Sequence, residues 1–162
     1  MRPLLIAFAL LQALLFNCIA HAQPTQDAAP LETSKKFGDY EIFFNAIPSM
    51  TLLPEMAAKY GIQRAKDIAY INITVFKRTG NNTVMRPATL KGTSSDLMTN
   101  KPLEFREMRE ANSIGYIAQV RYNNREVLRF DVKIQPELSA GEVAPVGSPF
   151  LISFTRKFYI EP

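Results

Sequence analysis

Apolar and polar residues alternate one by one over most of the chain from Phe37 onward. The segment VLRFDVKI, residues 127–134, is the clearest example, with Leu128, Phe130, Val132 and Ile134 separated by Arg129, Asp131 and Lys133. Successive side chains of a β-strand point to opposite faces of its sheet, so this alternation predicts half-buried strands. The same pattern occurs in DYEIFFNA (39–46), AYINITVF (69–76), GYIAQVRY (115–122) and FLISFTRKFYI (150–160), the last with Arg156 on its apolar side.

Turn signals separate these segments. TGNNT (79–83), YNNRE (122–126) and EANSIG (110–115) contain Gly and Asn, which tolerate the left-handed conformation of tight turns. One short helix is predicted in LPEMAAKYG (53–61), where Pro54 suits the first turn and Gly61 suits the exit. The Pro- and Gly-containing segment 135–149 predicts a long loop, and loops of that length are uncommon unless they are mobile or functional.

About seven strands and one short helix predict an all-β domain, a single antiparallel β-sandwich of the immunoglobulin-like type. A small closed barrel is the alternative architecture. The chain has one Cys and no Trp, so the cysteine pair and core tryptophan of true immunoglobulin domains are absent. The exact strand topology is therefore left open by the pattern.

The stretch LEFREMRE, residues 103–110, fits neither regular period. Leu103 and Phe105 share one face of a strand, but Met108 falls on the other, and a helix would place Leu103 and Phe105 apart. A β-bulge near Arg106 and Glu107 would return Met108 to the core side. We expect this strand to form a hairpin with the following segment through the EANSIG turn, with its charges forming cross-strand pairs on the solvent face.

The N-terminus has the order of a secretory signal peptide. Arg2 precedes an apolar stretch from Leu4 to Phe16, and the Ala20-His21-Ala22 site stands before Gln23. The stretch is shorter than the roughly 20 residues that a membrane-spanning helix needs, which disfavours a retained anchor. We predict a signal peptide over 1–22 with cleavage between Ala22 and Gln23, a flexible leader over 23–34, and a single β-sandwich domain over 35–162. Export then places the protein in the periplasm, with no transmembrane segment after cleavage.

Cleavage would remove the only cysteine, Cys18, and the only histidine, His21. The mature chain then has no disulfide, no thiol nucleophile and no imidazole base. Loss of Arg2 lowers the formal net charge from +4 to +3, and the basic residues are not gathered in one segment, which argues against a nucleic-acid partner. No phosphate-binding loop, dinucleotide fingerprint or calcium loop is present, and we expect no cofactor and no metal.

Two catalytic possibilities remain, and both are weak. Glu104, Glu107 and Glu110 form the densest acidic group, but each has an arginine neighbour, which lowers carboxyl pKa values and disfavours a general acid. A Ser–Lys pair could come from Lys91, Ser94 and Ser95, in a composition that is ordinary for a turn. We therefore predict that the protein is not an enzyme, with a carboxylate-based hydrolase as the remote alternative.

Five segments carry a resemblance to a known family. In KKFGDYEIFFNAI, LPEMAAKYGI, LEFREMRE, GYIAQV and EVLRFDVKIQP, and in nearly all of 35–160, the chain resembles domain-of-unknown-function family 4426, a family of small exported gammaproteobacterial proteins. These are hydrophobic-pattern motifs and contain few chemically active residues. The resemblance implies a Gram-negative periplasmic setting and brings no activity or site residue with it.

The favoured hypothesis is a non-catalytic periplasmic domain that engages another envelope protein or a peptide. Exposed strand edges are a common recognition surface, so we place the candidate partner-binding face at Arg106, Glu107 and Arg109, with loop 135–149 second. The alternative is a module for small molecules such as sugars or lipids. Its candidate platform is Tyr159 beside Lys157 on the last strand.

Overall fold

Ten short strands and one and a half turns of helix follow one another in the computed structural model, which describes residues 31–96 and 98–160. The strands are β1 (Ser34–Phe37), β2 (Tyr40–Pro48), β3 (Ile68–Thr79), β4 (Asn82–Met85), β5 (Ala88–Ser95), β6 (Asn100–Leu103), β7 (Arg106–Glu110), β8 (Ser113–Arg121), β9 (Val127–Pro136) and β10 (Phe150–Lys157). A 3₁₀ turn (Ser49–Thr51) and helix α1 (Pro54–Lys59) join β2 to β3. The helix predicted at LPEMAAKYG is therefore confirmed.

The strands form two antiparallel sheets. Sheet A has the order β1-β2-β3-β8-β7, with β4 paired to the far end of β3, and sheet B has the order β10-β9-β5-β6. Aromatic rings of the two sheets meet between them, as in the pair Phe44 and Phe154, whose centroids lie 4.7 Å apart. The all-β antiparallel sandwich predicted from the alternation is confirmed.

The core is built from the apolar sides of the alternating strands. Ile71, Ile73 and Val75 of β3 are completely buried, and so are Phe130 and Ile134 of β9. Phe130 stacks on Phe154 with centroids 5.0 Å apart, which places two large rings at the centre of the packing. Because the core side of each strand is set by its period of two, these residues are the ones that the sequence pattern predicted.

Strand β5 was not foreseen, since its sequence had been interpreted as a turn. It is a central strand of sheet B, paired to β9 from Ala88↔Pro136 to Ser95↔Arg129. Its inward side includes Gly92, where an added Cβ would come within 3.0 Å of the Val132 side chain and 3.1 Å of the Phe105 ring. At Gly92, the Val132 side chain and the Phe105 ring fill the space that an apolar side chain normally occupies. The strand therefore lacks the alternation of apolar and polar residues that predicts a strand.

The predicted β-bulge near Arg106 and Glu107 is wrong. Leu103 ends β6 in sheet B, the chain crosses at Glu104 and Phe105, and β7 then pairs with β8 in sheet A in regular register from Arg106↔Ile117 to Glu110↔Ser113. Leu103 and Met108 thus belong to different sheets. The hairpin predicted at EANSIG is confirmed, with Ala111 at a φ of 42° in its turn.

Arg156 breaks the apolar pattern of β10 for a visible reason. The side chain points inward and is 7% exposed. Its guanidinium donates 2.8 Å hydrogen bonds to the carbonyl oxygens of Thr155 and Glu32, and it lies 5.1 Å from the centroid of the Phe154 ring. Burial lowers the pKa of Arg156, but the two carbonyl groups replace part of the lost hydration.

The predicted signal peptide with its cleavage site Ala22–Gln23, and most of the leader, lie outside the described residues. At the leader's end, the Phe44 amide donates a 2.8 Å hydrogen bond to the Thr33 carbonyl, and Ser34 already belongs to β1. Within the described part of the chain, no helix is long and apolar enough to cross a membrane.

Candidate functional site

Strand β7 is the last strand of sheet A, so one side of its backbone has no partner strand within the sheet. Its three predicted site residues do not share a face. Residues directly opposite in an antiparallel pair point the same way, and Arg106 lies opposite Ile117 whereas Glu107 lies opposite Tyr116. Tyr116 belongs to the main core, so Glu107 and Arg109 point to the inner side of the sheet margin and Arg106 points outward. The prediction of one charged face is therefore wrong.

Arg106 holds the end of the helical segment. Its guanidinium donates hydrogen bonds of 2.9 Å to the Gly61 carbonyl and 3.4 Å to the Tyr60 carbonyl. Gly61 has a φ of +60°, and a Cβ on it would come within 3.1 Å of the guanidinium. Through one terminal nitrogen, the arginine therefore ties the residues after α1 to the edge strand, which is a positioning role within the domain.

Glu107 and Tyr116 connect the two sheets. The Tyr116 hydroxyl donates to the Glu107 carboxylate at 3.2 Å and accepts a 2.7 Å hydrogen bond from the Ala88 amide at the start of β5. Burial raises the pKa of Tyr116 to about 12, so the hydroxyl keeps its proton over the physiological range. Glu107 also accepts a hydrogen bond from Arg109, an exposed pair on the same strand. None of the predicted cross-strand charge pairs on β7 forms in the described part of the chain.

A groove lies beside β7, between its outer side and the residues around α1. We call it the tyrosine groove, a hollow of about 270 Å³. Its walls are Leu52, Tyr60, Ile62, Tyr70, Met108 and Ile117, and its floor and rim are Asn72, Thr74, Glu110, Ser113 and Gly115. The apolar wall residues form a second small hydrophobic cluster with Ala57, separate from the main core. The groove thus exists because the outer side of sheet A is only partly covered.

Two polar features border the tyrosine groove. The Lys59 ammonium of α1 lies 2.7 Å from the Glu110 carboxylate of β7, and this contact lowers the pKa of Glu110 and raises that of Lys59. Burial raises the pKa of Tyr70, and a hydrogen bond with Thr51 opposes that shift. The Tyr70 phenol is therefore protonated and the Glu110 carboxylate is ionised near neutral pH, which suits ligand recognition rather than proton transfer.

Gly115 forms part of the groove floor. A Cβ at this position would lie 3.6 Å from the Asn72 side-chain oxygen and 3.9 Å from the Thr74 hydroxyl, both ordinary contact distances. The absent side chain leaves the centre of the groove open without any constraint on the backbone. A larger residue at 115 would occupy the hollow directly.

Tyr159 and Lys157, the predicted ligand platform, lie together on the surface. Tyr159 is 55% exposed, and the Lys157 ammonium lies 5.3 Å from the centroid of its ring. One contact side of the ring is thus occupied by the neighbouring cation. Tyr159 is not among the lining residues of the hollows of about 270, 290 and 520 Å³ in the described part of the chain.

The predicted long loop follows β9, which extends to Pro136, and it folds against sheet A. Glu142 forms ion pairs with Lys77 of β3 and with Arg86, and it accepts a 2.9 Å hydrogen bond from the Ser139 amide. These contacts lower the pKa of Glu142 to about 2. The loop is therefore attached at its centre, while Val143 and Val146 remain exposed.

The structure does not bring together the residues of either weak catalytic possibility. Glu107 and Glu110 are engaged by Tyr116 and Lys59, and Glu104 lines a separate hollow of about 290 Å³ with Gly61, Arg106 and Gln119. In β5, Ser94 points inward and is 3% exposed, whereas Lys91 points outward. Lys91 and Ser95 share a face but are four residues apart, roughly 13 Å along a strand, so a Ser–Lys pair does not form.

Sequence reasoning missed the tyrosine groove. Tyr60, Tyr70 and Met108 come from three separate segments, and only the sheet brings them together. A partial signal was present: the outer side of β3 carries Tyr70, Thr74 and Phe76 and is not uniformly polar. That composition indicated a strand covered on both sides but did not indicate what covers it.

The fold and the site define an all-β domain whose two sheets enclose one main core, with an edge strand and a groove on one outer side. The model of the family described as Domain of unknown function (DUF4426) matches residues 34–161. The chain belongs to this family, as the resemblance had indicated. A comparison with curated proteins found no match.

Solved structures with the same fold include a DUF4426 family protein from Pseudomonas aeruginosa, which is 28% identical with a TM-score of 0.64 and is matched over 83% of this chain and 100% of its own. Two structures of FetP from uropathogenic Escherichia coli strain F11 are each 15% identical. A copper-bound variant has a TM-score of 0.53 over 77% of this chain and 93% of its own. FetP as isolated after expression in the E. coli periplasm has a TM-score of 0.56 over 80% and 94%. The FetP likeness concerns the fold alone.

Proposed function

We propose that this protein is a non-catalytic periplasmic domain that binds an extended segment of another envelope protein along β7, with side chains of that segment entering the tyrosine groove. The observation that carries the proposal is that one edge strand has an unpaired backbone side and also lines a groove through Met108 and Glu110. Addition of a strand supplies affinity through main-chain hydrogen bonds, and a neighbouring pocket supplies specificity.

The chemistry of the groove supports an apolar or aromatic side chain as the anchor. Tyr60 and Tyr70 combine a flat apolar surface with a hydroxyl, a composition enriched at binding sites. Arg109 is exposed at the margin of the same strand, where an acidic residue of the partner would share its guanidinium with Glu107. Arg106 and Glu107 serve the domain itself, so we restrict the original partner-binding set to Arg109 together with the groove.

Gly115 offers a direct test. Replacement by Leu would fill the groove, whereas Gly115→Ala adds one methyl group at ordinary contact distances and serves as the matched control. A photoreactive amino acid at Arg109, in the protein produced in intact cells, should capture one dominant envelope protein. The same probe at Thr155, on the far sheet, should not capture it.

We expect capture from position 109 to persist in the Gly115→Ala background and to disappear with Gly115→Leu. Equal capture from 109 and 155, or capture that Gly115→Leu leaves unchanged, would exclude the groove as the binding site. The periplasmic setting is tested separately by N-terminal sequencing of the exported protein, which should begin at Gln23. Any activity of the purified protein that is abolished by Glu104→Gln or Glu107→Gln would contradict the non-catalytic assignment.

The copper bound by the FetP variant is not taken as an indication of a copper site in this chain. Among the described residues there is no group of three or more His, Cys, Asp or Glu side chains able to hold a metal ion. The thioether of Met85 already accepts a 3.2 Å hydrogen bond from the Ile114 amide. The donor set present in the described part therefore does not fit a copper centre built from imidazole or thiolate.

A further inference from the structure

The outer side of sheet B holds a further hollow, separate from the tyrosine groove. Its volume is about 520 Å³, within the range of small-molecule sites, and we call it the basic depression. Strands β5, β9 and β10 form its floor, and Lys35 of β1 forms part of its rim. Of the residues singled out from the sequence as a possible site, only Lys91 lies in it, and the Ser–Lys pair for which Lys91 was considered does not form.

The charges in the basic depression do not balance. Arg129 and Asp131 neutralise each other through contacts of 2.9–3.1 Å, and the arginine lowers the pKa of the aspartate. The remaining ionised residues that line the hollow are Lys35, Lys91 and Lys133. In the part of the chain that the structure describes, none of these three lysines forms an ion pair. Three positive charges therefore face one hollow without a counter-ion from the protein.

Two of these lysines are direct cross-strand neighbours. Lys91 of β5 is paired in register with Lys133 of β9, and side chains in such a position have Cβ atoms roughly 4.5–5.5 Å apart. Like charges placed directly opposite destabilise a sheet. The repulsion would be relieved by an anion held between the two ammonium groups, so the pair itself indicates the chemistry of a ligand.

An apolar surface adjoins the lysine pair. Leu151 of β10 lies opposite Lys133 on its other side and is 63% exposed. In the next row of the sheet, Thr93 and Ser153 lie on either side of Asp131, and the Ser153 hydroxyl is hydrogen-bonded to that carboxylate. The hollow thus presents cations and an exposed leucine within one site, which matches a molecule that has an anionic group and an apolar portion.

We propose that the basic depression binds an anionic amphiphile of the phospholipid type, with its phosphate between Lys91 and Lys133 and its apolar portion on Leu151. Charge complementarity selects the anion, and burial of Leu151 selects the apolar portion. This binding is independent of the partner-binding role proposed for β7.

The test is calorimetric titration of the purified protein with dihexanoyl phosphatidylglycerol, below its critical micelle concentration. Neutral dihexanoyl phosphatidylcholine and inorganic phosphate are the comparison ligands. We expect saturable binding of phosphatidylglycerol that is at least roughly tenfold tighter than binding of either comparison ligand. Lys133→Glu should weaken it roughly tenfold or more, and Leu151→Ala roughly fivefold.

A variant with the same change in net charge at a distant place is the matched control. Arg78→Glu lies on the exposed end of β3 and should leave the affinity for phosphatidylglycerol unchanged. Lys133→Glu creates an opposite-charge pair with Lys91 and should raise the melting temperature while it weakens binding, so loss of fold cannot explain the result. Equal binding of inorganic phosphate, equal effects of Lys133→Glu and Arg78→Glu, or no binding of phosphatidylglycerol would each overturn the proposal.

Discussion

The outer sides of the two sheets differ although they cover the same core. Sheet A carries tyrosines, Met108 and Ile117 on its outer side, and the segment around α1 packs on part of it. Sheet B carries lysines, hydroxyl groups and the Arg129–Asp131 pair, and no helix of the described chain packs on it. The comparison shows that the strands of this sandwich share a core pattern but specialise on their solvent sides. Sheet A suits a protein segment and sheet B suits an anion.

The largest expected effect comes from the core that both sides share. Phe130 is completely buried against Phe154 and Phe158, so Phe130→Ala should lower the free energy of unfolding by about 3–5 kcal/mol. Urea denaturation followed by circular dichroism measures it. Val127→Ala on the same strand, where the side chain is 52% exposed, is the control and should have little effect. A small effect of Phe130→Ala would mean that the sheets are stabilised separately.

The next effect concerns the hydroxyl that connects the sheets. Tyr116→Phe leaves the Ala88 amide without its acceptor, and an unsatisfied buried donor costs about 1–3 kcal/mol. Tyr159→Phe, which removes an exposed hydroxyl, should leave the unfolding midpoint unchanged. If both substitutions behave alike, the contact between β8 and β5 does not contribute to stability.

The raised pKa of Tyr116 also predicts that the stability of the fold decreases at alkaline pH. Its pKa of about 12 in the folded protein exceeds the ordinary tyrosine value of 10.0, so the native state retains this proton more strongly than the unfolded state does. The contribution is present below the unfolded pKa and is lost as the pH rises from about 10 to about 12. Tyr116→Phe should therefore flatten the fall of the melting temperature across that window. An identical slope in both proteins would contradict this assignment.

The acidic counterpart lies in the loop between β9 and β10 of sheet B, which contacts sheet A through Glu142 and Lys77. The pKa of Glu142 is held at about 2, below its ordinary value of 4.5, so its stabilising contribution is present above pH 4.5 and is lost as the pH falls toward 2. Glu142→Gln should show a smaller drop in melting temperature between these pH values than the unsubstituted protein. Glu55→Gln, in the first turn of α1, is the control and should reproduce the original drop.

The smallest effect distinguishes the two outer sides. Lys133→Glu on sheet B replaces a like-charge pair with an opposite-charge pair and should stabilise the fold by about 0.2–1 kcal/mol at low salt. Reversal of Glu110 on sheet A should act in the opposite direction, because it places a cation beside Lys59. Differential scanning calorimetry at low and high salt measures the melting temperatures of both variants. Shifts of the same sign would contradict the proposed difference in charge between the outer sides of the two sheets.

Much of the fold was predictable, because the period of two is a local property. Strands β2, β3, β8, β9 and β10 present the faces that their alternation predicted, and the turns after Thr79 and Glu110 join the strands predicted beside them. Strand β5 was missed because Gly92 and Ser94 occupy its inward side. At Gly92 the space on the core side is filled by Val132 of β9 and by Phe105 of the segment between β6 and β7, which the local sequence does not indicate.

The candidate sites were likewise predictable only in part. The alternating residues, the turns and the membership in the DUF4426 family can be recognised without coordinates. The opposite directions of Arg106 and Glu107, the change of sheet at Glu104 and the pairing of Lys91 with Lys133 became visible only in the folded chain. The physical reason is that alternation depends on neighbouring residues, whereas sheet membership and register depend on contacts between residues distant in the chain.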